Sequence, residues 1–246
     1  MEVREKMIFS CKIYFFADYY YVMHLKNILT ALAISCLALS CAKDAMYPQF
    51  DADNPSYGWV TAIVSIKQSP DDTVFFQLSD NERLFPENWQ DRFEKVCRLY
   101  CRLYIFPQTV GSYGKKTRVE WAEALEEGRY TTDSDVSGSD GLDILDDWMT
   151  GVEDGFLTLH YSTWWGNGAV QHKLAVVAGT NAEDPYELQL RHDACGDARK
   201  EQTDALIYFD INDLPSTGGE YKTLTLKWTN CAGKLSEKKY SFKSRE

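Results

Sequence analysis

EKVCRLYCRLYIF, Glu94–Phe106, alternates in character residue by residue. Cys97, Leu99, Cys101, Leu103 and Ile105 fall on one face, and Arg98, Tyr100, Arg102 and Tyr104 on the other. A period of two is the signature of a β-strand with one buried face; a helix would spread the same residues around its axis. A strand this long and one-sided needs partners, so the fold is read outward from it.

Upstream the same period recurs. Val60, Ala62, Val64 and Ile66 oppose Trp59, Thr61, Ser65 and Lys67. SPDD at Ser69–Asp72 is a turn, Val74, Phe76 and Leu78 continue the apolar face, and LFPENW at Leu84–Trp89 breaks it again. Lys115–Ala122 supplies one more strand. Four or five antiparallel strands in so short a stretch suit a small barrel of the OB type.

Thr131–Asp143 (TTDSDVSGSDGLD) is rich in Ser, Gly and Asp and reads as a domain boundary. Beyond it the alternation resumes. Leu157, Leu159 and Tyr161 share a face, and Gly166-Asn167-Gly168 is a turn into a strand with Leu174 and Val176 inward. Further short strands follow around Leu188, Ile207, Leu226 and Tyr240. This spacing predicts an antiparallel, immunoglobulin-like β-sandwich. The expected class is therefore all-β: an OB-like barrel over residues 57–134, then a sandwich over 135–246.

The N-terminal region is different in kind. LKNILTALAISCLALSCAKD, Leu25–Asp44, joins Lys26 to an apolar run and ends in two cysteines. A secretory signal has this order, with an apolar core of about 7–15 residues, whereas a membrane-spanning helix needs about 20. Ala38-Leu39-Ser40-Cys41 has the form of a bacterial lipobox, with Cys41 as the lipidated first mature residue. Cys36 competes, but polar residues begin only after Cys41. Residues 1–40 read as signal, with 1–22 an upstream extension set aside from the fold. Residues 41–56, with two prolines, read as a tether. Several acyl chains on one cysteine anchor a protein stably where one is marginal.

The chain carries a formal net charge of −11. Such a surface repels phosphate backbones, so nucleic acid is not an expected partner. Cys97, Cys101, Cys195 and Cys231 remain in the mature chain besides Cys41. On one strand Cys97 and Cys101 stand about 13 Å apart, too far to bond. Cys195 and Cys231 each follow a predicted strand, and a disulfide between them is admitted if those strands are neighbours.

Chemistry-bearing patterns are few. DSDVSG, Asp133–Gly138, opens like a calcium loop, but the twelfth position holds Ile144 in place of the bidentate carboxylate. His160 alternates away from the Leu157/Leu159 face while His172 and His192 share faces with core residues, which argues against a three-histidine zinc site. No G-x-S-x-G elbow is present. Acidic residues are abundant, but only a pocket with two carboxyls about 5–9.5 Å apart would suggest glycosidic chemistry. Tyr161, Trp164 and Trp165, beside the GNG turn, are the candidate ligand-binding residues. No metal, cofactor or catalytic residue is expected.

Several segments together resemble the NigD-like lipoproteins of Bacteroidales. VTAIVSI, FQLSDNERLFP, LDILDDWMTGVEDGFLTLHYS, GTNAEDPYELQLRHDACGD and FDINDLPSTGGEYKTLTLKWTN carry the likeness, which covers most of Asn54–Lys243. These are packing and turn motifs. The resemblance implies an OB-like domain followed by a β-sandwich. It implies no catalytic residue, because the family has no established biochemical activity. The chain departs from the pattern in its two barrel cysteines and in Trp164-Trp165. The expectation is an outer-membrane lipoprotein, periplasmic or surface-exposed, that acts without catalysis as a binding or interaction module toward another envelope protein or a glycan. The alternatives are a bacteriocin-immunity role, suggested by the family's name, a glycan-binding accessory role and a carboxylate hydrolase.

Overall fold

A computed structural model describes residues 58–79, 81–90, 98–112, 114–166, 168 and 170–245. The signal region, Cys41, the tether and Cys97 lie outside the described residues. Regular structure in the described residues is entirely β.

Five strands close a barrel: β1 (Gly58–Gln68), β2 (Val74–Ser79), β3 (Glu82–Pro86), β4 (Arg98–Val110) and β5 (Gly114–Ala124). Their order is β1-β2-β3-β5-β4, with β4 returning to β1. The β3–β5 pair is parallel and the others antiparallel. This is the closed OB-type path that the alternation of β1, β2 and β4 predicts. Ala62, Val64, Phe76, Leu84, Leu99, Leu103 and Ile105 fill its interior, while Ile63, paired with Tyr100, is buried on the opposite face of β1. Cys101 is buried with them and points its thiol at the Ala62 carbonyl, 3.5 Å away.

The chain passes directly into the sandwich. β6 (Glu126–Glu127) pairs with β13 (Glu201–Asp210) in one sheet, and β7 (Arg129–Thr131) pairs with β11 (Lys173–Val177) in the other. Gly128 is the crossing point. A Cβ there would lie 2.1 Å from the Phe209 ring, so only glycine lets the backbone pass over the core. The first sheet also holds β8 (Asp143–Ile144), β9 (Gly151–Glu153) and β10 (Phe156–Trp165). The second runs β15 (Leu235–Phe242), β14 (Lys222–Thr229), β12 (Glu187–Asp193), β11, β7. Leu157, Leu159, Val176, Leu188, Phe209, Leu226 and Phe242 meet between the sheets. Each such burial contributes about 1.5–3 kcal/mol. The sheets are mixed: β6–β13, β7–β11 and β12–β14 are parallel, where simple alternation predicts only antiparallel pairs.

The Ser/Gly/Asp-rich segment, read from composition as the boundary, runs inside the sandwich. Asp140 donates its N–H to the His192 carbonyl (3.0 Å) and Leu142 to that of Thr229 (3.1 Å), seating the segment between the ends of β12 and β14. This overturns the admitted disulfide. β12 and β14 are parallel neighbours, so Cys195 and Cys231 do leave the same end, but the inserted backbone separates them and both thiols are free. Cys231 turns its sulfur toward the Gly141 and Ser162 carbonyls. Cys195 stands in a left-handed turn (φ 52°), facing the Asp193 carbonyl.

Barrel and sandwich touch through named groups. Lys67 pairs with Asp154 at 2.6 Å, and the Arg98 guanidinium lies over the Phe156 ring. Trp148 and Met149, from the segment between β8 and β9, pack on the barrel core.

Candidate functional site

The three aromatic residues expected to act together are divided by the strand that carries them. On β10, Tyr161 and Trp165 point inward and Trp164 points outward, because neighbours on a strand face opposite ways. Tyr161 is 3% exposed and belongs to the sandwich core, where burial pushes its hydroxyl pKa up to about 12. Trp165 packs on the same core and stacks flat on His172 (centroids 3.9 Å, planes 13° apart). Trp164 lies half-buried opposite Gln202. Among these three residues Tyr161 is buried and both tryptophans are half-buried.

Behind Trp165 lies a buried polar relay. His172 Nε2 is 3.4 Å from Asp197 Oδ2, and His172 Nδ1 is 3.0 Å from His192 Nε2. If Asp197 accepts from the first ring and that ring accepts from the second, His192 Nδ1 is left as a bare acceptor. That atom is buried and makes no hydrogen bond of good geometry, although the Asp140 and Gly141 backbone favours a proton on the ring. Burial first, and then the neighbouring His172, hold the His192 pKa below the ordinary histidine value. His160 stands apart, with Nδ1 2.5 Å from Asp147 and Nε2 2.7 Å from Asp204. Among the described residues no three His, Cys, Asp or Glu side chains gather as a metal site. Cys231 is a poor nucleophile, its thiol pushed up to about 11 by burial and by Asp143.

Among the described residues, an exposed aromatic surface lies on the barrel. Residues 100, 102, 104 and 106 of β4 point outward. Across the strand pairings they meet Trp59 of β1, opposite Tyr104, and Trp121 of β5, opposite Arg102. Trp59 is 50% exposed and Trp121 37%. The rings form two edge-to-face pairs, Trp59–Tyr104 (5.2 Å, 74°) and Tyr100–Trp121 (5.2 Å, 64°), extended by Phe106 and by Trp148 of the sandwich. Arg102 lies between the pairs. Its guanidinium sits 5.6 Å from the Trp59 ring centre and binds Glu120 at 2.8 Å.

Glu120 reaches that position through a bulge. The register steps from Arg102↔Trp121 to Leu103↔Val119, so Glu120 has no partner of its own on β4. A bulge of this kind re-aims a side chain, and here it puts Glu120 and Trp121 side by side around Arg102. The alternation of β4 makes its Tyr/Arg face legible from the sequence. The alignment of Trp59 and Trp121 on that face needs the register and the bulge, neither of which leaves a local signal.

Residues 124–244 match the family described as the NigD-like C-terminal β-sandwich domain. The C-terminal half of this protein is a NigD-like sandwich. The match begins where β5 ends, so the NigD-like domain includes the crossing at Gly128 and the inserted Ser/Gly/Asp segment. Solved structures share both parts of the fold. One is of a protein from Parabacteroides distasonis described as toxin-related (TM-score 0.62, 21% identity, covering 76% of this chain and 94% of that one). A protein of unknown function from Bacteroides vulgatus gives 0.58 at 15% identity, with 76% and 92% covered. A protein from Bacteroides fragilis described as a lipoprotein gives 0.54 at 12% identity, with 76% and 100% covered. At these identities the likeness is one of fold. No curated protein matches in sequence.

Proposed function

We propose that this NigD-like protein is a lipid-anchored component of the outer cell envelope that works by recognition and not by catalysis. Lipidation of Cys41 holds it to the membrane and residues 42–56 act as the tether. The lipobox-like sequence and the lipoprotein description of the Bacteroides fragilis relative support this placement. The observation that carries the recognition reading is the barrel face, where Trp59 and Trp121 stand exposed around a fixed arginine. Trp, Tyr and Arg are the residues that most often dominate binding energy, and monomeric proteins seldom leave them clustered at the surface without use.

The test is a photo-crosslinking residue in place of Trp121, in the full lipoprotein expressed in its own envelope, beside the same residue in place of Trp164. Adducts at 121 and none at 164 are expected. A lipidated protein that gives no adduct at 121 overturns the reading.

A further inference from the structure

We infer that the barrel face around Trp59, Arg102, Tyr104, Glu120 and Trp121 binds an uncharged oligosaccharide; this assigns a ligand class to the recognition reading and rests on it. The two aromatic pairs stand on either side of β4, with Trp59 and Trp121 two strand spacings apart and offset by two residues along β4, about 12 Å between their backbones. Sugar rings two positions apart in one chain can span that separation, each laying its C–H face against an aromatic group. Between the pairs the surface is polar. The Arg102–Glu120 pair, 2.8 Å apart, is exposed on both sides. It presents N–H donors beside carboxylate acceptors, which suits hydroxyl groups that both donate and accept.

Two other ligand classes fit less well. Stacked aromatics on an OB barrel could hold the bases of a single strand. That mode also needs unpaired cations for the phosphates. Here Arg102 is neutralised by Glu120, Arg118 lies 3.6 Å from Glu87, and the chain is strongly acidic. The centre of a protein–protein interface is depleted of carboxylates, yet Glu120 stands at the centre of this face with Glu123 nearby on β5. An uncharged polyhydroxylated ligand is what remains compatible with both rings and ions.

The experiment is calorimetric titration of the full lipoprotein, in a detergent without a sugar head group, with cellohexaose, mannohexaose and maltohexaose. Polygalacturonate and oligo(dT) are the charged probes. Binding of at least one neutral hexasaccharide is expected, insensitive to salt, weakened about tenfold or more by Trp59→Ala and by Trp121→Ala, and retained by Trp164→Ala. Circular dichroism of the variants checks that the fold persists. Binding equal in wild type and both ladder variants, binding only to the charged probes, or none to the three hexasaccharides overturns the assignment. If the hexasaccharides fail while position 121 crosslinks to a protein, recognition stands and the carbohydrate assignment falls. If both fail, both readings fall.

Discussion

Arg98 of the barrel and Phe156 of the sandwich meet with the guanidinium carbon 5.1 Å from the ring centre, at 1% and 2% exposure. Arg98 also donates to Ser65 Oγ at 3.0 Å, and Phe156 receives Arg245 at 4.3 Å and the edge of Tyr208. A buried cation of this kind is tolerable only while its partners stay in place. Phe156→Ala should therefore cost about 3–5 kcal/mol, the range for a buried aromatic, plus whatever Arg98 loses. Arg245→Ala, on an exposed pair with Asp210, should cost under about 1 kcal/mol. Urea unfolding of the two variants measures both. Equal small losses would show that the contact does not bind barrel to sandwich.

The His172–His192 relay gives stability a pH dependence. The folded His192 pKa lies below its unfolded value of about 6.5, so the unfolded chain binds the proton more readily. Its stabilising contribution is fully present above that value and is lost as pH falls through it toward the folded pKa. The slope from this group is at most about 1.4 kcal/mol per pH unit. Unfolding free energy measured from pH 8 to pH 5 should fall less steeply in His192→Asn than in the wild type below about pH 6.5. Parallel curves would remove His192 from the account.

Much of this fold is written in local patterns. The period of two in β1, β2, β4, β10 and β14 identifies those strands and their buried faces, and for Leu99, Leu103, Leu157 and Leu226 the inward placement follows directly. What local pattern does not carry is pairing. β6 and β7 are short and polar enough to read as loop, yet they sit in different sheets because parallel partners on β13 and β11 are available there. The Ser/Gly/Asp segment looks like a linker because its residues are small and polar; those same properties let it thread between two strand ends. Trp164 and Trp165 look like one patch in sequence, and the pleat sends them to opposite sides. On the barrel the reverse holds: Trp59 and Trp121 are distant in sequence and are brought to one face by β4.

Gly141 marks how tightly the inserted segment is held. A Cβ there would lie 2.3 Å from the Asn230 carbonyl oxygen and 2.8 Å from Cys231 Cα, both backbone atoms with little freedom to retreat. Gly141→Ala should cost about 1–3 kcal/mol, while Gly168→Ala, where a Cβ meets nothing within 4 Å, should cost far less. Thiol labelling reports the same event. In the native protein Cys195 is exposed and should react quickly, whereas Cys101 is buried and Cys231 is held by its carbonyl contacts. Loosening the insert should speed labelling of Cys231 and leave Cys101 protected. A Gly141→Ala protein with wild-type stability and wild-type Cys231 reactivity would mean the segment is not wedged.

The adjacent tryptophans of β10 should respond in opposite ways. Trp165 lies against the core and on the His172 ring, so Trp165→Ala removes both a packed surface and the cover of the buried relay. A loss of about 3 kcal/mol is expected. His172 should also become open to solvent, and its ring protons, followed by NMR, should shift. Trp164 points out of the sheet, and Trp164→Ala should change stability by under about 1 kcal/mol. Two substitutions of the same residue type, one peptide bond apart, thus test the inward–outward assignment without any knowledge of a ligand. Comparable losses at 164 and 165 would place both rings in the core. Comparable indifference would place both at the surface and restore them as a recognition patch to set against the barrel face.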